Sequence, residues 1–160
     1  MKLSHTAAVI FSGVLWLIIG LFLLMKGLNL VVLAAHAEQF GIRAVLISRL
    51  AAWSGSHQSG ALILIAFGLL IGLIKGRFVL VKTVKKVVAR IVSLPAPIKV
   101  TELFSARYLL LMAIMVGLGI SLRFAKLPAD LHGLIDVAIG SALVNGSMIY
   151  FRLALLARTS

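Results

Sequence analysis

The sequence predicts an all-α integral membrane protein with four transmembrane helices in two antiparallel hairpins and a basic amphipathic interfacial helix between the second and third spans. Three observations predict this class. Of the 160 residues, 62% are hydrophobic and only 12% are charged, whereas a soluble domain keeps about a quarter of its residues charged. The charges leave four uncharged hydrophobic segments between them. Because each transmembrane helix takes about 20 residues, residues 1–160 form a single domain without room for an extramembrane catalytic domain.

The sequence marks the four spans with different clarity. The first is a retained helix and not a signal peptide, because its apolar run far exceeds the roughly 7–15 residues of a signal peptide. The third and fourth contain only 15 consecutive uncharged residues each, fewer than the about 18 of a usual span. We still predict spans, since flanking arginines can reach the interface; a hairpin that enters one leaflet is the alternative. The predicted spans are about 6–27, 57–75, 104–123 and 132–151.

The connection after the second span predicts the amphipathic helix, at about residues 78–93. Its apolar side chains at positions 80, 84, 87, 88 and 91 share one helical face. The basic residues of the opposite face are Lys82, Lys85, Lys86 and Arg90. A helix with this pattern is typical of the membrane interface.

The distribution of lysine and arginine predicts the orientation. With four spans, both termini and the loop between the second and third spans lie on one side, which carries eleven of the 16 basic residues. Because cytoplasmic loops carry an excess of these residues, both termini are predicted to be cytoplasmic. We expect a multi-pass protein of a bacterial inner membrane, although other membranes obey the same charge rule.

Small residues at regular intervals predict where the helices pack, because they let membrane helices approach closely. In the first span Gly13, Gly20 and Gly27 are seven residues apart and lie near one face. The second and fourth spans carry small residues at intervals of four, which are Gly68, Gly72, Gly76 and Ala138, Ala142, Gly146. We interpret these as helix–helix contacts; a moving or pore-lining surface is the alternative.

The fourth span has small or polar residues on two sides. One sector holds Gly133, Asp136, Gly140 and Ser147, and the nearly opposite sector holds Ala138, Ser141 and Asn145. Such a helix has little lipid contact, so we expect it at the centre of the bundle or between two subunits. Because four spans form a thin bundle, a homo-oligomer, a dimer or larger, is expected to bury the second side.

Asp136 is the candidate functional residue of the membrane interior, since an acid within a span is costly unless it is paired or hydrated. We expect it about one turn below the outer surface, where Arg123 could pair with it and Lys26 and Lys126 lie at a similar depth. The predicted transport pathway consists of Asp136, Ser141, Asn145 and Arg123. The alternatives are a static ion pair between helices and an Asn145–Asn145 contact across a dimer axis.

The basic face of the amphipathic helix has three candidate partners. Each basic residue near an anionic leaflet contributes about 1 kcal/mol, which favours anionic lipid of the cytoplasmic leaflet. Nucleic acid is not expected, because this stretch lacks aromatic and base-reading groups. An acidic cytosolic protein is the remaining candidate.

Enzymatic chemistry is not expected. The chain has no cysteine and its four histidines lie near predicted segment ends, so we expect neither a metal nor a cofactor. A carboxylate pair would have to use Asp130 and Asp136, which are better explained as the start of a helix. We therefore predict a transporter or channel that moves a small ion or solute along the fourth span. The alternatives are a non-transporting scaffold or subunit that binds anionic lipid or a cytosolic partner through the amphipathic helix, and an enzyme acting on a lipid headgroup.

Overall fold

The computed structural model describes residues 2–41, 44–94, 98–99, 117, 121 and 127–159. The long elements within these ranges are helices α1 (His5–Gln39), α2 (Val45–Ser54), α3 (His57–Lys75), α4 (Val81–Ser93) and α5 (Ala129–Thr159). A π-helical turn, Gly76–Leu80, joins α3 to α4. Two short strands, β1 (Lys2–Leu3) and β2 (Ile98–Lys99), pair antiparallel beside the start of α1.

Three helices are long and apolar enough to cross a membrane, which confirms the predicted helical membrane class. The predicted span 57–75 coincides with α3. The first and fourth predicted spans lie within α1 and α5, which continue further at both ends. The predicted span 104–123 lies outside the described residues apart from positions 117 and 121. The four-helix arrangement therefore remains a prediction.

Helix α2 depends on a residue of another helix for its N-terminus. Its N-cap, Ala44, has no side chain that could accept a hydrogen bond from the first-turn amides, which need partners. The buried carboxylate of Asp130 accepts hydrogen bonds from the N–H groups of Leu46 (2.5 Å) and Ile47 (3.2 Å), and Glu38 accepts one from Ala44. Asp130 thus stabilises this turn, so the structure gives it a different role from that of a catalytic carboxylate paired with Asp136.

Helix α4 packs its apolar face against the protein. Val84, Val88 and Ile91 are buried in one cluster with Val9 of α1 and Tyr150 of α5. From the sequence we expected this face to meet the membrane interface. The structure differs because a protein surface and an apolar interface select the same helical periodicity. An interfacial position of α4 as a whole remains a prediction.

Candidate functional site

Helices α1 and α5 touch along a seam of glycines. A methyl group built on Gly27 would lie 2.8 Å from the carbonyl oxygen of Gly133, and one built on Gly140 would lie 2.7 Å from the carbonyl oxygen of Gly20. Side-chain carbons do not approach other atoms so closely, so only glycine fits at these positions. Residue numbers rise along α1 as they fall along α5. The two helices are therefore antiparallel, with their backbones in direct contact.

A second seam joins α3 to the opposite side of α5. The closest pairs are Gly68 with Val137, Gly72 with Ser141 and Gly76 with Asn145. The carbonyl oxygens of Ala138 and Ala142 lie in the same contact, and Gly146 lies against Leu80 of the π-helical turn. Residue numbers rise together along the two helices, so α3 and α5 are parallel.

Helix α5 is thus central, with both of its polar sides covered by helices of the same chain. Its first sector faces α1 and its second sector faces α3. The sequence argument for an oligomer assumed that a second subunit would cover the second sector. Since α3 covers it, this sector gives no reason to expect a second subunit there.

The polar side chains that face α3 are bonded within the chain. The Ser141 hydroxyl donates a hydrogen bond to the Leu69 carbonyl (3.3 Å), and the Asn145 amide donates one to the Ser141 carbonyl (2.9 Å). A methyl group built on Gly76 would lie 3.0 Å from the Asn145 Cβ. Asn145 therefore lies in the contact with α3, and its contact with a second copy stays a prediction.

Asp136 lies on the other side of α5 and forms an ion pair with α1. Its Oδ2 is 2.8 Å from the Nζ of Lys26 and 3.6 Å from the Nε2 of His132, one turn earlier. The Asp136 side chain is 3% exposed and that of Lys26 is 40% exposed. Lys26, one of the three cations considered as partners, therefore pairs with Asp136, whereas Lys126 lies outside the described residues. Arg123, the partner included in the predicted pathway, lies outside the described residues.

The ion pair lies near the middle of α3. Methyl groups built on Gly27 and on Gly68 would both meet Val137, at 2.6 Å and 3.0 Å. The two residues of the ion pair directly precede Gly27 and Val137 in the sequence. The ion pair is therefore level with Gly68, the twelfth of the 19 residues of α3. That is two residues, or about 3 Å, from the midpoint of α3. The depth of Asp136 below the outer surface stays a prediction.

The predicted transport pathway is divided between the two sides of α5. Asp136 lies in the contact with α1, whereas Ser141 and Asn145 lie in the contact with α3. Backbone approach closes both contacts. Among the described residues, no group of three His, Cys, Asp or Glu side chains could hold a metal ion.

The four basic residues of α4 form the second candidate site. Lys82, Lys85, Lys86 and Arg90 are all exposed. Within the described ranges the salt bridges all involve Asp136, so these four side chains have no acidic partner there. Their charges are free to meet an anionic surface outside the bundle.

These two sites have to be interpreted from their own geometry. The first is an ion pair between the partly exposed Lys26 of α1 and the buried Asp136 of α5, and the second is a basic face on a helix that packing holds in place. No protein-family model, curated protein or solved structure matches the chain.

Proposed function

We propose that the protein is a non-transporting membrane scaffold or subunit that binds anionic lipid headgroups through the basic face of α4. The exposure of all four basic side chains supports this function, because the opposite face of α4 is buried in the bundle. Packing fixes the helix, so its charges point away from the protein. The closed contacts on both sides of α5 make a pathway along that helix the weaker candidate.

The position of α4 also favours the cytoplasmic leaflet. A ring nitrogen of His5 lies 2.8 Å from the carbonyl oxygen of Leu94, so the end of α4 lies beside the start of α1. The charge distribution predicts that this terminus is cytoplasmic. The cytoplasmic leaflet carries the anionic lipids, and each nearby basic residue contributes about 1 kcal/mol to binding.

The test measures the lipid preference of the reconstituted protein. We expect spin-labelled phosphatidylglycerol to be enriched over phosphatidylcholine around the native protein. Each single change to glutamine at the four positions should lower this preference by up to about fivefold. The quadruple variant should lose it. The four positions are Lys82, Lys85, Lys86 and Arg90.

Two matched controls keep the test specific. Arg49→Gln on α2 and Arg152→Gln on α5 each remove an exposed basic residue outside α4, and both should retain the lipid preference. A quadruple variant with native helix content and unchanged preference would exclude lipid binding by α4. If that variant instead loses an acidic cytosolic partner, the function is protein recruitment.

The Lys26–Asp136 pair favours a second candidate function, transport of a small ion or solute. A charged pair at this depth is costly in a membrane, and intramembrane charges often mark ion pathways. Lys26 is 40% exposed, so the pair can be reached from the surface of the bundle. In this proposal the Asp136 carboxylate binds a proton or a small cation in exchange for the Lys26 ammonium.

A flux measurement in proteoliposomes tests this second candidate. We expect flux of protons or a monovalent cation, at least about tenfold lower in Asp136→Asn, because the amide lacks the charge that binds the ion. Arg49→Gln, which removes an exposed charge on α2 outside the predicted pathway, should stay within about twofold of the native rate. Absence of flux for protons and for a panel of ions, with native helix content, would reject transport.

A further inference from the structure

One side of α1 faces away from α5. Its large apolar residues are exposed and seven residues apart, and they are Phe11, Ile18, Met25 and Val32. Each of the first three precedes by two residues one of the glycines of α1 that face α5. Two residues correspond to a rotation of about 200° around the helix. We call this row of four side chains the α1 ridge; it lies nearly opposite the contact with α5.

Asn29 lies beside the α1 ridge. It is four residues after Met25, about 40° around the helix, and it is exposed. In the part of the chain that the structure describes, it forms no hydrogen bond. Asn29 is two residues after Gly27, and Gly27 is level with Gly68 of α3. Because α1 and α3 are antiparallel, Asn29 is level with Ala66, the midpoint of His57–Lys75. Apolar residues precede and follow Asn29 in α1, and an amide in such a stretch of a membrane helix needs a protein partner, because lipid offers none.

We propose that the α1 ridge is the contact surface for a second copy of the chain, in which the two Asn29 amides bond to each other. An amide carries both donors and an acceptor, so it is its own complement. Copies inserted in the same direction present the same face. A two-fold axis along α1 therefore places each Asn29 opposite its twin.

The surroundings of Asn29 suit such a pair of helices. A seven-residue apolar repeat is the pattern of two helices that pack in parallel, and a single asparagine within it fixes the register. The neighbouring charge of Lys26 is balanced by Asp136, so two copies do not bring unpaired charges together. This proposal depends neither on what α4 binds nor on transport.

Cysteine cross-linking tests the surface directly, because the chain has no cysteine of its own. Met25→Cys and Val32→Cys place thiols on the α1 ridge, and Leu70→Cys places one on an exposed part of α3 as the matched control. In membranes treated with copper phenanthroline, we expect disulfide-linked dimers from both ridge variants, at least about fivefold more than from the control.

Substitution of the amide then tests what stabilises the contact. Adding Asn29→Leu to Met25→Cys should lower the dimer fraction at low protein-to-lipid ratio, with dimer affinity falling about fivefold to thirtyfold, the range for interhelical amide bonds in model peptides. Adding Asn29→Gln should retain most of the dimer.

Three outcomes would overturn the proposal: equal cross-linking from Leu70→Cys, a monomer at every protein-to-lipid ratio, or an unchanged dimer in Asn29→Leu. Lipid or another segment of the same chain would then be the neighbour of Asn29. All cysteines replace exposed side chains, so these variants are expected to fold, and circular dichroism checks this.

Discussion

Replacing Gly140 with alanine is expected to lower the free energy of unfolding by about 3 kcal/mol. The added methyl group would lie 2.5 Å from the backbone nitrogen of Leu24 and 2.7 Å from the carbonyl oxygen of Gly20. Both are main-chain atoms, which cannot rotate away as the end of a side chain can. Helices α1 and α5 would have to separate, and the better helix propensity of alanine, about 1 kcal/mol, does not offset this.

A neighbouring glycine provides the control. A methyl group on Gly146 would lie 3.1 Å from the Cδ1 of Leu80, the flexible end of a side chain, so Gly146→Ala should change stability by less than about 1 kcal/mol. Unfolding of both variants can be followed by circular dichroism in detergent micelles with increasing dodecyl sulfate. Equal stability of the two variants would contradict the tight contact between α1 and α5.

Replacing Lys26 with methionine is expected to destabilise the protein by about 3 kcal/mol, the lower end of the usual effect of breaking a buried charge pair, because His132, 3.6 Å from Asp136, remains as a neighbour. Asp136 is only 3% exposed, so its carboxylate could not turn to solvent or to the interface. Asp136→Asn should have a smaller effect, because the longer Lys26 side chain is already 40% exposed and can extend away from the bundle.

The double variant separates the ion pair from the packing of the two side chains. Lys26→Met combined with Asp136→Asn leaves no buried charge, so it should recover most of the stability lost in Lys26→Met. The same micelle titration measures all three variants, and the difference from additivity gives the coupling energy. Additive effects would mean that the two side chains do not form a stabilising pair.

Helix boundaries could be predicted here where local chemistry sets them. The second predicted span begins with α3, whose N-cap Ser56 accepts a hydrogen bond from the amide of Ser59; at Lys75 the helix continues as the π-helical turn. The capping signal lies in neighbouring residues. The amphipathic pattern of residues 78–93 likewise predicted a helix, although the π-helical turn delays its start to Val81.

The partners of the site residues could not be predicted in the same way. Lys26 was one of three cations at a similar expected depth. Choosing it requires the register between α1 and α5, which follows from pairing Gly27 with Gly133 and Gly20 with Gly140. In the sequence, α1 and α5 each carry glycines that are seven residues apart. The antiparallel pairing of these glycines gives the register only when α1 is known to contact α5.

Asn29 was missed for a related reason. The glycines of α1 predicted the side that packs, but the rest of its circumference is uniformly apolar, so the sequence does not show whether Asn29 faces another helix or the exterior. Exposure became visible only after the glycine seam fixed which side meets α5. The two sides of α5 were predictable, because small and polar residues alternate there with large apolar ones.

The packing of α4 against the start of α1 has a consequence for how the molecule sits in the bilayer. At this level α1 exposes apolar side chains as far as Ile10, whereas the adjacent outer surface of α4 is basic. If the bilayer boundary were perpendicular to the bundle axis, either the apolar side chains at the start of α1 would lie in water or the basic face of α4 would lie in hydrocarbon. Tilting the bundle removes this mismatch. We expect the hydrocarbon boundary to cross the molecule obliquely, low on α1 and high at Lys75, and the position of α4 along the headgroups stays a prediction.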